Sequence, residues 1–239
     1  MIVEAAGAPY TPAAEDRILV VAPHPDDDVL ACGGTLALSA SAGAAARVAY
    51  LTDGSASHLG SPSVSRAALR DLREAEARTG LAALGIGFDR AHFLRGRDGA
   101  LDAGDAALAG RLELLVRTFE PTVVLVPVAF DPHPDHIAAA ALASRALAAA
   151  GARARRLQYA VWLRLRGETG GGAFEDAATN VVIVDTRSVL AQKRRAIAAH
   201  RSQFGRVVRD DPGGFRLPHA LIVDACGDVE RFLESSPRA

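Results

Sequence analysis

Three observations predict an α/β fold with a mainly parallel central sheet flanked by helices. Short β-branched runs alternate along the chain with longer stretches of helical periodicity. One of those runs, Val123–Val128, is continuously apolar, the pattern of a strand buried on both faces. The chain has 239 residues, 49% of them hydrophobic, enough for one large domain with a well-developed core.

Taken in order, Ile18–Ala22 reads as a buried first strand. Asp28–Ser41 follows as a helix, in which Gly33 and Gly34 lower the propensity and point to close packing. Arg47–Leu51 is a second strand, followed by a loop over Thr52–Ser63. Ser65–Leu84 is a long helix with Gly85 as its C-cap. A short strand at His92–Leu94 precedes the clearest helix, Asp105–Phe119. There Leu108, Leu112, Leu115, Val116 and Phe119 share one face, and Glu113 with Arg117 makes an i,i+4 pair outside it. Pro121 closes that helix before the Val123–Val128 strand. Asp135–Ala150 is helical and Leu157–Trp162 a strand. Gly167–Ala177, with four glycines, reads as a mobile loop, Val181–Val184 as a strand and Thr186–Phe204 as a helix. No repeat or linker interrupts the series, so residues 1–239 are expected to form one Rossmann-like domain with its site at the carboxyl ends of the strands.

Bulk properties exclude several classes. A formal net charge of −1 offers no broad basic field, which argues against nucleic acid or an anionic membrane as an obligatory partner. The two cysteines, Cys32 and Cys226, do not make a disulfide scaffold. Met1–Pro12 lacks the basic-then-apolar pattern of a signal peptide. The Ala-rich stretch Ala138–Ala150 is too short to span a bilayer and carries Arg145. A cytoplasmic protein without membrane insertion is expected. A homo-oligomer is left open.

Two segments carry the chemistry. His24-Pro25-Asp26-Asp27-Asp28 follows the first strand, and Asp131-Pro132-His133-Pro134-Asp135-His136 follows the Val123–Val128 strand. Singly, either triplet reads as a helix start, with Asp26 or Asp135 as N-cap. Together, two His-Pro-Asp triplets at strand ends, surrounded by further His and Asp, point to a metal site. If the two strands are neighbours, one pocket receives both segments. Two neutral imidazoles and a carboxylate make a three-ligand zinc site with a position left for water, assigned to His24, Asp27 and His136. Adjacent residues in a turn diverge, so Asp26 is free to act as general base. His133, as imidazolium, stabilises an oxyanion and protonates a leaving amine. Asp135 holds His133 or a ligand histidine in its tautomer. Zn2+ is the cofactor this donor set implies, and Fe2+ suits it as well.

The same residues resemble those of the PIG-L/LmbE-like family of N-acetylglucosaminyl deacetylases, which carry a His-Pro-Asp-Asp-Glu motif after the first strand and a His-Pro-Asp-His motif later. The resemblance extends to Val29–Thr35, Leu51-Thr52-Asp53-Gly54, Lys193–Ile197 and His200–Gln203, so it runs from about Ile18 to Gln203. It implies a zinc-dependent hydrolase acting on a linear amide C–N bond of a small N-acylated amino sugar, with the ligand and base roles given above. It also implies that Arg73, in Arg73-x-x-Glu76, and Asp98, in Asp98-Gly99, grip the sugar hydroxyls; the plain alternatives are a surface helix charge and a turn. Where the family has glutamate this chain has Asp28, one methylene shorter.

Two rival readings start from the same residues. The acidic triplet Asp26–Asp28 also suits magnesium-dependent phosphoester chemistry, although His24 and His136 favour zinc. A non-catalytic metal- or sugar-binding module needs the ligands but not Asp26. Elsewhere, Lys193 and His200 fall on one helix face, which predicts a polar pair near the pocket edge with His200 a hydrogen-bonded packing residue. His58, His92 and His219 are expected to be structural or surface residues, and Cys32 a small buried one.

Overall fold

The computed structural model describes residues 7–166 and 180–234. The glycine-rich stretch 167–177 expected to be a loop lies outside the described residues. One eight-stranded sheet is formed by β1 (Ala8–Pro9), β2 (Arg17–Ala22), β3 (Ala45–Thr52), β4 (Ala91–Gly96), β5 (Val123–Pro127), β6 (Arg155–Tyr159), β7 (Asn180–Asp185) and β8 (Val229–Glu234). Their spatial order is β1-β7-β8-β6-β5-β2-β3-β4. All pairings are parallel except the two made by β8, with β6 and with β7.

The period of two along each central strand builds two cores. Ile18, Val20 and Ala22 of β2 face one side with Val123 and Leu125 of β5, and Leu19, Val21, Val124 and Val126 face the other. The first face is covered by α1 (Asp27–Ala42), α2 (Arg66–Ala83), α5 (Leu190–Ala199) and α6 (His219–Ala225). The second is covered by α3 (Ala106–Phe119) and α4 (Pro134–Ala150). The apolar stripe expected on α3, Leu108 to Phe119, is buried against the sheet. No helix among the described residues is long and apolar enough to cross a membrane.

Two elements depart from expectation for identifiable reasons. The strand expected to reach Trp162 ends at Tyr159, because the Val161 and Trp162 N–H groups turn to Asp131 Oδ2 (3.3 and 3.2 Å). The helix expected over Thr186–Phe204 is broken into α5 flanked by 3-10 turns at Arg187–Val189 and Arg201–Phe204. At the second break, Ser202 N–H and Oγ–H donate to Glu76 of α2 (2.7 and 2.6 Å), which takes that N–H out of the helical ladder. β1, α6 and β8 were not foreseen. Glu230 in β8 is fully buried, which an alternating strand pattern does not anticipate.

The chain runs outward from β2 through β3 to β4, then crosses back to place β5 on the other side of β2. That reversal, with Ile18 paired to Val123 and Val20 to Leu125, is the switch point where open α/β sheets collect ligands. Both His-Pro-Asp segments leave the sheet there.

Candidate active site

After β2 the backbone makes a tight turn through Pro23–Asp26 into α1. Pro23 O accepts from Thr52 N–H (2.9 Å), and Asp26 adopts φ 144°, ψ −25°. A non-glycine residue in that region costs about 1–3 kcal/mol and persists only where its surroundings enforce it. Here Asp26 O accepts from Val29 and Leu30 N–H, and Asp27 Oδ2 accepts from His24 N–H (2.8 Å). Asp26 stands at the N-cap position of α1, yet its side chain makes no capping bond. After β5, Asp131 is fully buried, and Pro134 opens α4 with its fixed φ. The cap of α4 is His133, whose Nδ1 accepts from Asp135 N–H (3.2 Å); Asp135 is not the cap.

The two turns bring His24, Asp27 and His136 together. Asp27 Oδ2 lies 3.1 Å from His24 Nδ1 and 3.3 Å from His136 Nε2. One donor atom from each lies within 4.8 Å of the others, and all three residues are buried. Neither His136 nitrogen has a hydrogen-bond partner, and the buried Nε2 faces this point. Two nitrogens and one carboxylate oxygen are a donor set suited to a first-row divalent metal. His24, His133 and Asp135 form a second convergent trio. Its carboxylate is already occupied, because Asp135 accepts from Gly99 and Leu101 N–H (2.8 and 2.9 Å) and meets His24 Nε2 at 3.0 Å. Asp135 therefore orients His24 through the ring nitrogen that faces away from Asp27.

Asp26, Arg73, Asp98 and His133 line the same cavity of about 360 Å³, with His24 and Asp27 at its floor. Arg73 is buried rather than a surface charge. Its Nη2 donates to Asp26 Oδ2 (3.1 Å) and Pro25 O (2.7 Å), and its Nη1 to Gly54 O (3.0 Å). Gly54 has φ +65°, and a Cβ there would lie 3.1 Å from the guanidinium, so glycine permits the approach. Asp98 accepts from Ala56 N–H (2.6 Å) and lies 3.3 Å from His24 Nε2. Burial pushes the Asp26 carboxyl up to about 7, against the lowering effect of Arg73. Burial pushes the His133 imidazole down, and the His24 and His136 rings push the same way. His133 Nδ1 accepts a backbone N–H, an arrangement that suits a neutral ring with its proton on Nε2, where the sequence led to the expectation of an imidazolium. Asp28 lies beneath the site, accepting from Tyr50 Oη–H (2.8 Å), and burial raises its carboxyl to about 7.

Several lining residues escaped the sequence reading. Asp131 Oδ1 accepts from His133 N–H (3.1 Å) and lies 3.7 Å from His136 Nδ1. Trp162, Phe215, Leu217, Ser57 and Gln203 complete the wall. Phe215 N–H donates to Ser57 O (2.7 Å), which laces the segment after α5 onto the loop after β3, and Leu217 N–H donates to Gln203 O (2.8 Å) within that segment. Lys193 and His200 do not form a pair at the pocket edge. Lys193 ion-pairs with Glu230 (2.7 Å), and His200 packs beside Gly80 with neither nitrogen hydrogen-bonded.

Residues 19–147 match the family described as PIG-L: GlcNAc-PI de-N-acetylase. The chain is 30% identical to a 1D-myo-inositol 2-acetamido-2-deoxy-alpha-D-glucopyranoside deacetylase of Actinosynnema mirum, covering 94% of each chain. It is 30% identical to a diacetylchitobiose deacetylase of Thermococcus kodakarensis, over 79% of this chain and 70% of that one. Among solved structures, the conserved protein TT1542 from Thermus thermophilus superposes with a TM-score of 0.67 at 28% identity, over 93% of this chain and 95% of that one. With more than half of its length matched, and with both His-Pro-Asp segments of the site inside the matched region, this chain belongs to the PIG-L de-N-acetylase family.

Proposed function

We propose that this protein is a zinc-dependent hydrolase that removes an N-acyl group, with acetyl the first candidate, from an amino sugar or a related small glycoside. The convergence of His24, Asp27 and His136 at the switch point, with Asp26 in the same cavity, carries the reading. The relatives named as deacetylases of N-acetylated sugars support the substrate class. Two imidazoles among the donors favour zinc over the oxygen-only sites that magnesium prefers. One sheet joining all the described strands supports a single catalytic domain.

Zinc held by these three residues supplies Lewis acidity, which polarises an amide carbonyl and makes a water ionise near neutral pH. Asp26 accepts the proton of the attacking water. Burial raises the proton affinity of this carboxylate, which suits a group that takes a proton and gives it up again. Arg73 holds one Asp26 oxygen and leaves the other for the water. As the carbonyl carbon becomes tetrahedral, His133 Nε2–H donates a hydrogen bond to its oxygen. Asp26 then passes its proton to the departing nitrogen, and the C–N bond breaks to give the carboxylate and the free amino sugar. Asp98, at the cavity wall, is placed to accept a hydroxyl of the sugar.

Metal content and acetate release from N-acetylglucosamine and its glycosides test this reading. Asp26→Asn is expected to keep the bound zinc and lose at least a hundredfold in kcat, and His136→Ala to lose the zinc. Wild-type turnover by Asp26→Asn, or acetate release undiminished by metal removal, would sink it.

A further inference from the structure

The cavity has an apolar side that the chemistry above does not use. Trp162 lies in its wall, half-buried, at the start of a 3-10 turn that follows β6. Its ring is nearly parallel to that of His133 (25°), with centroids 6.1 Å apart, toward the far end of the aromatic-pair range. Phe215 stands against Trp162 at 72° and 5.8 Å, and its own backbone is pinned to Ser57. The backbone that carries the indole is tied to the reacting centre. Asp131 Oδ2 accepts from the backbone N–H of Trp162, while its Oδ1 accepts from the backbone N–H of His133 and lies beside His136 Nδ1. One buried carboxylate thus fixes the backbone at Trp162 relative to a metal-ligand candidate and an oxyanion donor, and Phe215 packs against the ring itself.

We propose that Trp162, braced by Phe215, is the saccharide-stacking residue of this cavity. One face of a pyranose ring presents C–H groups of partial positive charge, and an indole face presents the negative side of its quadrupole. Stacking there holds the ring while its N-acyl group reaches Asp26 and His133. The inference rests on the amino-sugar reading and adds a specificity determinant to it: a cyclic sugar is preferred over an acyclic amide.

Trp162 is the chain's single tryptophan, so its fluorescence, excited beyond the tyrosine band, reports this position alone. Titration with glucosamine is expected to shift that emission saturably, in zinc-loaded and in metal-stripped protein, while N-acetylethanolamine leaves it unmoved. Trp162→Ala is expected to raise KM for N-acetylglucosamine about three- to tenfold, with a smaller effect on kcat. Trp162→Phe should restore most of the loss and guards against simple misfolding of the alanine variant. Acetate release from N-acetylglucosamine with a silent Trp162, or a Trp162→Ala variant that loses kcat at unchanged KM, overturns the platform and leaves the deacetylase reading standing. Failure to release acetate from any N-acetyl sugar removes the amino-sugar reading and takes the platform down with it.

Discussion

Asp131 takes no part in the proposed proton transfers, yet it receives N–H groups from His133, Val161 and Trp162 and sits beside His136 Nδ1. At 3.7 Å from His136 Nδ1, beyond hydrogen-bond distance, its charge acts on that ligand imidazole through space. Asp131→Asn is therefore expected to weaken zinc binding about 10- to 100-fold, read by competition with a chelator. Residues inside the two contiguous motifs were legible in the sequence, because a turn of five or six residues places its own side chains whatever the rest of the chain does. Arg73 was legible as a partner of the site, but not in its connections: Pro25, Asp26 and Gly54 are close to it only after α2 packs beside the turn. Trp162 and Phe215 come from separate segments with no pattern linking them. Asp28 is explained by Tyr50, whose hydroxyl meets the shorter side chain from β3.

At the scale of elements, α1 delivers Asp27 and is held from behind by an unusual grip. Glu230 of β8 inserts into its hydrogen-bond ladder, accepting from Gly34 N–H (2.6 Å), Thr35 N–H (2.8 Å) and Thr35 Oγ–H (2.6 Å). The glycine pair that weakens helix propensity is the condition for that approach. A Cβ on Gly34 would lie 2.2 Å from Thr186 Cγ2, and one on Gly33 would lie 3.0 Å from Lys193 Cγ. Gly34→Ala gains helix propensity and should still destabilise the protein, by about 1–3 kcal/mol in urea unfolding, because overpacking outweighs it. Close packing at Gly33 and Gly34 was readable from the sequence, since two glycines inside an apolar helix need a reason. The partner was not, for Glu230 reads as an ordinary exposed residue. The break after α5 was hidden for a similar reason: helical periodicity continues through His200, and only Glu76 from α2 diverts the backbone.

For the molecule as a whole, the parallel part of the sheet followed from β-branched runs alternating with helices, and the switch point followed from both motifs lying at strand ends. The far side of the sheet did not. β8 joins β6 to β7 antiparallel, and through Glu230 it also anchors Lys193 of α5 in a fully buried ion pair. Lys193→Met leaves that carboxylate without its cation and is expected to lower stability by about 3–5 kcal/mol, measured by denaturant titration. Added zinc should raise Tm in a concentration-dependent way in wild type and not in His136→Ala, as mass action requires for a ligand that binds only the folded chain.

The place of β8 between β6 and β7 also has a meaning in time. Every other described strand is synthesised before it, so a nascent chain emerging from the ribosome can assemble β2 to β6 while the β1–β7 pair has no strand linking it to them. During that interval β6 presents an unpaired edge, the kind of surface that recruits stray strands. Stalled chains ending before Val229 are expected to be cut readily by protease within β7, and chains that include Glu234 to resist cleavage there. The sheet closes like a zip whose slider is the last of the described strands to be made, and the seam stays open until that strand arrives.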